Sequence, residues 1–248
     1  MTLCVVWREK SQIHFASDSR ITFPGGALFD FAIKISKIST EIDKLDQTTG
    51  VVERFFDRDI GICVAGSTVN AFLLRDSITD QLQGTFLREP DFETLANRAF
   101  RQYSRISKHL CEVLASNKGQ AEVAISGYCP LKKQSLAFLM SPVSQGENDY
   151  VLKPIHLRDG ESFFFGSGAM AARNLVSVNC IGAGEFTSCH AFGAITQIIA
   201  NPNIPSVGGH VRMSSFDIED GFRSFWVSQE AKEWFDPPLR EVRQRLIE

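Results

Sequence analysis

At 248 residues the chain fits one layered domain of helices and strands, and its 44% apolar content is that of a globular protein. A net charge of −3 with no Lys/Arg run argues against binding to nucleic acid or to an anionic membrane. No stretch approaches the length of a membrane span, and Arg8, Glu9 and Lys10 interrupt the apolar start too early for a secretory signal.

Residues 2–7 read as a strand with Leu3, Val5 and Trp7 on one face and Cys4 and Val6 on the other. Residues 13–17 are its hairpin partner, across the polar turn Arg8–Gln12. The second strand delivers Asp18. A short segment Ile21–Phe23 follows, and Pro24-Gly25-Gly26 breaks the chain. Ala32–Ile38 reads as a further strand, with Lys34 on the face opposite Ile33 and Ile35. Residues 39–58 are polar and charged and are expected to form a surface insertion with a hairpin around Gly50.

Ile60–Ala65 is a continuous apolar run, the mark of a buried strand. It leads through Gly66 to a helix over about 69–83, capped by Ser67 or Thr68, with Ala71, Leu74, Ile78 and Leu82 on one face. A longer helix follows Asp91 and runs to about 115, with a stripe from Phe92 through Leu95, Ala99, Tyr103, Ile106 and Leu110 to Val113. Two strands, 121–128 and 135–140, turn around Pro130. Residues 141–160 read as loop, and 162–165 as a strand ending in Gly166-Ser167-Gly168. Helices are expected over 169–178 and about 188–200, strands over 207–213 and 222–227, and a short charged helix after Pro237-Pro238. Strand clusters separated by helix pairs fit an α+β fold, with two sheets face to face and a helix pair on each outer face.

The six cysteines (Cys4, Cys63, Cys111, Cys129, Cys180, Cys189) contain no C-x-x-C pair, and the five histidines have no metal-like spacing. Neither a metal nor another cofactor is expected, and scattered free cysteines fit a reduced, cytoplasmic protein.

The chemistry is expected at the start. Thr follows Met1, and a Met before so small a side chain is normally trimmed. Thr2 would then carry a hydroxyl and a free amine on one residue, which is a nucleophile with its own base. An α-amine titrates at about 7.7–8.0 in model peptides, so it can take the hydroxyl proton near neutral pH. Lys34 beside the hydroxyl would favour the alkoxide-like state, and Asp18 would hold Lys34 charged and oriented. The plainer alternative for these two is a surface ion pair.

Taken in order, these residues resemble the proteasome-type β subunits of the N-terminal-nucleophile hydrolase superfamily. The likeness rests on Thr2, on ASDSRIT (Ala16 to Thr22), on Lys34 within AIKISKI, on Ala65-Gly66-Ser67 at a strand-to-helix turn, and on Gly166-Ser167-Gly168 before a helix. Thr2 to Asp18 and Asp18 to Lys34 are both sixteen residues apart, the spacing of that family. The likeness covers most of the chain, most clearly 2–38, 60–82 and 162–178.

It implies a four-layer αββα sandwich over 1–248 as a single domain, with 237–248 as a C-terminal extension. It also implies self-association into rings or helical arrays and a polypeptide substrate, with any ATP use left to a separate unfoldase. The lack of a propeptide resembles the simpler bacterial members, the peptidase subunit of the two-component ATP-dependent protease and the Anbu-type homologues, and the length and the 39–58 insertion look closer to Anbu-type or other bacterial proteasome homologues. Gly66, without a Cβ at a strand-to-helix turn, is the candidate oxyanion donor, and Ser167 the candidate partner of the Thr2 amine; the plainer alternatives are a tight turn needed for packing and a helix N-cap. The family's late Asp and Ser find their best match in Asn203 and Ser206, although Asn203 lacks the charge and Val207 is an extra residue. Thr22 and Gly66 match positions that pair with an extended substrate, while Ile21, Ala32, Ser36, Val64 and Thr68 match the first specificity pocket. Their small to medium apolar character points to a hydrophobic residue before the cut. The expected activity is that of a threonine peptidase. The alternatives are an amidase acting on a small amide, and a catalytically silent ring subunit.

Overall fold

The computed structural model describes residues 2–23, 25–45, 49–83, 85–86, 91–114, 119–143, 149–179, 185–217 and 221–227. It opens with a hairpin of β1 (Cys4–Glu9) and β2 (Gln12–Ser17), closed by Lys10 and Ser11 at φ 51° and 64°. Two successive left-handed residues match the twist of the strands they join. A small hairpin of β3 (Ile21–Thr22) and β4 (Leu28–Phe29) comes next, then β5 (Ile35–Ile38). Strands β6 (Glu41–Leu45) and β7 (Val52–Asp57) turn through Gly50, at φ 68°. They are followed by β8 (Ile60–Gly66) and helix α1 (Thr68–Leu82). Strand β9 (Thr85–Phe86) runs parallel to β6 and precedes α2 (Phe92–Val113). The second half contains β10 (Ala121–Cys129), β11 (Gln134–Pro142), β12 (Tyr150–Pro154) and β13 (Ser162–Phe165). It continues with α3 (Ala169–Asn179), α4 (Ser188–Ile199), β14 (Val211–Asp217) and β15 (Gly221–Val227).

Two five-stranded antiparallel sheets carry the fold, in the orders β13-β1-β2-β14-β15 and β12-β11-β10-β8-β5. Three apolar clusters follow from the alternation of the central strands. Cys4, Val6 and Phe15 of the first sheet meet Ile35, Cys63, Ala65 and Ala124 of the second. The opposite face of β1 (Leu3, Val5, Trp7) joins Ala172, Ala191 and Ile195 of α3 and α4. Ile62 and Val64 of β8 join Leu74 and Ile78 of α1 and Leu95 and Ala99 of α2. A strand apolar on both faces is one buried on both sides, which is why 2–7 and 60–65 lack polar alternation. Helices α1 and α2 begin where a cap is available: Ser67 Oγ accepts the Asn70 N–H, and Asp91 accepts the Glu93 N–H.

The structure departs from the sequence reading at five places. Tyr150–Pro154 is a strand, inside a segment read as loop. It lies at the outer edge of its sheet, pairing only β11 among the described residues, where Pro154 is tolerated. The late strand starts at Val211 rather than 207, because the chain turns through Gly209 at φ +76°. Pairing of the strand expected over 32–38 starts only at Ile35, so the inferred faces fail: Ile33 is 49% exposed and Lys34 is buried. Val113 ends the α2 stripe in solvent. The 39–58 segment is not wholly on the surface, since Ile42 is fully buried against the α1–α2 cluster. The helix expected after Pro237-Pro238 lies outside the described residues.

Candidate active site

Thr2 is buried, and its main chain is gripped from one turn. Its N–H donates to Ser167 Oγ at 3.0 Å, and its carbonyl accepts from Gly168 N–H at 3.3 Å and from the Ser167 hydroxyl at 3.4 Å. That turn has no room for larger residues. A Cβ on Gly166 would lie 2.3 Å from the Thr2 carbonyl oxygen, and one on Gly168 would lie 3.0 Å from Leu3 Cβ. The glycines of GSG let the turn lie against the start of β1.

Asp18 is fully buried at the end of β2 and has four donors. Oδ1 accepts Leu3 N–H at 3.0 Å and Lys34 Nζ at 2.8 Å, and Oδ2 accepts Gly208 N–H at 3.0 Å and Arg20 N–H at 3.2 Å. A charge taken out of water persists only when paired and hydrogen-bonded, and Asp18 has both supports. Lys34 is 8% exposed. Its carbonyl accepts Val64 N–H at 2.9 Å, which ties it to β8. One carboxylate thus fixes both the residue after Thr2 and the buried ammonium. Burial pushes the adjacent Cys4 thiol up, so it stays neutral and leaves Lys34 to Asp18.

Thr2 and Lys34 line a cavity of about 680 Å³. Gly66 lines it as well, at φ +117°, where a Cβ would meet Gln120 O at 2.7 Å. The remaining wall includes Ile21, Thr22, Ala32, Ser36, Val64 and Thr68, so all six residues assigned to substrate binding lie together.

Three solved structures share this architecture. Anbu from Yersinia bercovieri superposes with a TM-score of 0.65 at 12% identity, over 99% of this chain and 94% of that one. Anbu from Hyphomicrobium sp. strain MC1 gives 0.63 at 14% identity, over 99% and 95%, and its Gly-1 mutant gives 0.64 at 15%, over 100% and 95%. The chain has the Anbu fold. The proteasome-type resemblance drawn from the sequence holds at this level. No protein-family model and no curated protein matches the chain.

Within the Anbu fold, the segment matched to the family's late Asp and Ser contributes differently from expectation. Asn203 is exposed and its N–H donates to Asn201 Oδ1 at 3.0 Å. Ser206 is buried, but neither residue lines the cavity. The contact with the cluster is made instead by the main chain of Gly208, through its N–H to Asp18.

Two features were not foreseen. Arg20 makes a double hydrogen bond to Asp30, at 2.7 and 2.8 Å, and donates to Pro205 O at 3.2 Å. The guanidinium holds the Asp30 carboxyl below its usual range. This pair links the cavity wall to the 205–208 segment, and a Cβ on Gly208 would strike the Arg20 guanidinium. The sequence signal was the Gly208-Gly209 pair itself, a mark of close backbone approach. The second feature is Glu122 of β10, whose Oε2 accepts Gly166 N–H at 2.9 Å. Its signal was a carboxylate inside the apolar run 121–125. Far from the site, no helix among the described residues is long and apolar enough to cross a membrane.

Proposed function

We propose that the chain is a threonine peptidase of the proteasome type, with Thr2 as nucleophile once Met1 is removed. The observation that carries this reading is the single Asp18 carboxylate joining Leu3 N–H and Lys34 Nζ at the wall of the cavity that Thr2 lines. In the proposed reaction the Thr2 hydroxyl oxygen attacks a peptide carbonyl and its proton passes to the Thr2 amine. Lys34 stabilises the oxygen as it loses that proton. Gly66 N–H receives the developing oxyanion, a contribution of about 10²–10³ in rate. Ser167 Oγ holds the amine. The C–N bond breaks, the leaving amine takes the proton, and an ester on Thr2 remains. Water, deprotonated by the same amine, cleaves the ester and restores the hydroxyl. An extended substrate pairs along Thr22 and Gly66, with a hydrophobic side chain in the pocket of Ile21, Ala32, Ser36, Val64 and Thr68.

Beyond the site, the reading takes the chain as one αββα domain, supported by the three apolar clusters, which alternate sheet and helix pair. It places the protein in the cytoplasm, in self-associated rings or helical arrays, fed by a separate ATP-dependent unfoldase. Asn203 and Ser206 act through the placement of Gly208.

Intact mass of the purified full chain, with and without a β-lactone, tests the proposal beside Thr2→Ala. Ring opening by Thr2 adds the whole inhibitor mass. Loss of Met1 and an adduct absent in Thr2→Ala are expected. Retained Met1, or a clean Thr2 terminus without adduct, would sink the peptidase reading and favour a silent ring subunit. An adduct with turnover of small amides but not of peptides would favour the amidase.

A further inference from the structure

Glu122 stands second in β10, where its neighbours Ala121, Val123, Ala124 and Ile125 are buried. The register sets it opposite Ala65, one residue before Gly66. From that strand its carboxylate reaches across to the other sheet and accepts Gly166 N–H at the end of β13, at 2.9 Å. Gly166 lies against both Thr2 and Ala65, since a Cβ there would be 2.3 Å from Thr2 O and 3.1 Å from Ala65 Cβ. The next residue is Ser167, whose Oγ accepts the Thr2 N–H.

We infer that Glu122 is a positioning residue, whose carboxylate holds the 166–168 turn on Thr2 so that Ser167 Oγ meets the Thr2 nitrogen. The chain of contacts is short and runs in one direction: carboxylate to Gly166 N–H, then Ser167 Oγ to Thr2 N. Gly166 at φ +86° is in a conformation that glycine adopts freely in both directions, so the turn gains its fixed position from what binds it. Glu122 also binds from the strand that backs Gly66, so one residue couples the amine side of the site to the oxyanion side. The catalytic consequence rests on the acyl transfer proposed at Thr2, whereas the geometry rests on the hydrogen bond alone.

The test compares the full chain with Glu122→Ala and Glu122→Gln, the latter keeping an acceptor without the charge. β-Lactone labelling of Thr2 is followed over inhibitor concentration to separate kinact from KI. Glu122→Ala is expected to lower kinact by about 10–100-fold, a part of the full general-base contribution of about 10²–10⁴, with KI within about threefold. Glu122→Gln is expected to restore kinact to within about threefold of wild type. Hydrogen exchange at the Gly166 amide is expected to speed up in Glu122→Ala and not in Glu122→Gln. Should Glu122→Ala fail to fold, Glu122→Met fills similar space without the acceptor and carries the same expectation. Wild-type kinact in the acceptor-free variant, a loss confined to KI, or a Gln variant no better than Ala would each overturn the inference. If wild type itself takes no label, the fault lies with the threonine-nucleophile reading. Gly166 exchange then decides alone: unchanged protection in Glu122→Ala overturns the positioning role, and faster exchange upholds it.

Discussion

The two ends of the β1–β2 hairpin bury titratable groups by opposite means. At one end Asp18 is sunk as a charge and collects an ammonium and three backbone N–H groups. At the other, His14 stacks on Trp7 at 5.2 Å and burial pushes its pKa down to about 4, so it is sunk neutral. A buried charge organises donors around itself, whereas the neutral ring settles for stacking and a hydrogen bond with the Ser214 backbone. One hairpin therefore supplies an electrostatic anchor beside the cavity and a neutral plug towards its turn.

Removing the anchor is expected to have the largest effect. Asp18→Ala leaves Lys34 buried without its partner, and loss of about 3–5 kcal/mol in urea unfolding is expected, together with loss of Thr2 labelling. A variant that unfolds like wild type would show that Lys34 escapes to water. The plug predicts a pH effect of the next size. The unfolded chain protonates His14 near pH 6.5, the folded chain only near 4, so stability is intact above 6.5 and falls as pH drops from 6.5 to 4. About 3 kcal/mol is lost across that window, and His14→Phe should remove that part of the slope in unfolding curves while labelling of Thr2 stays within about threefold. An unchanged slope would place the ring's proton elsewhere. Ser167→Ala comes third: labelling slows by about 10–100-fold, with a stability change under about 1 kcal/mol, since its contacts fall on the chain end. The smallest effect is expected from Asn203→Ala, with a labelling rate within about twofold of wild type, because an exposed residue away from functional contacts changes little. A large loss there would show that the side chain, and not Gly208, serves the site.

Much of this was legible in the chain because it is written in local patterns. Apolar runs on both faces marked β1 and β8, and the family resemblance carried by Thr2, Asp18 and Lys34 implied that three separate segments meet in one place. Other features have no local mark. The edge strand at Tyr150–Pro154 is defined by its partner, not by alternation. Asp18 meets Gly208 across 190 residues through a main-chain N–H, and backbone atoms leave no residue type to read. Arg20 and Asp30 stand ten residues apart with nothing local to mark them as a pair, and only the fold brings them together. Asn203 was read by its side chain, whereas the hydrogen bond from this segment to Asp18 comes from the Gly208 N–H.

The grip on Thr2 has a practical consequence. The three hydrogen bonds to it among the described residues fall on its N–H and carbonyl, so this grip does not depend on the side chain. Serine or cysteine would be seated alike, and with Met1 gone Thr2→Cys would place a 1,2-aminothiol at the cavity wall. That is a chemical handle for attaching a reporter to the interior of the molecule without disturbing any other residue.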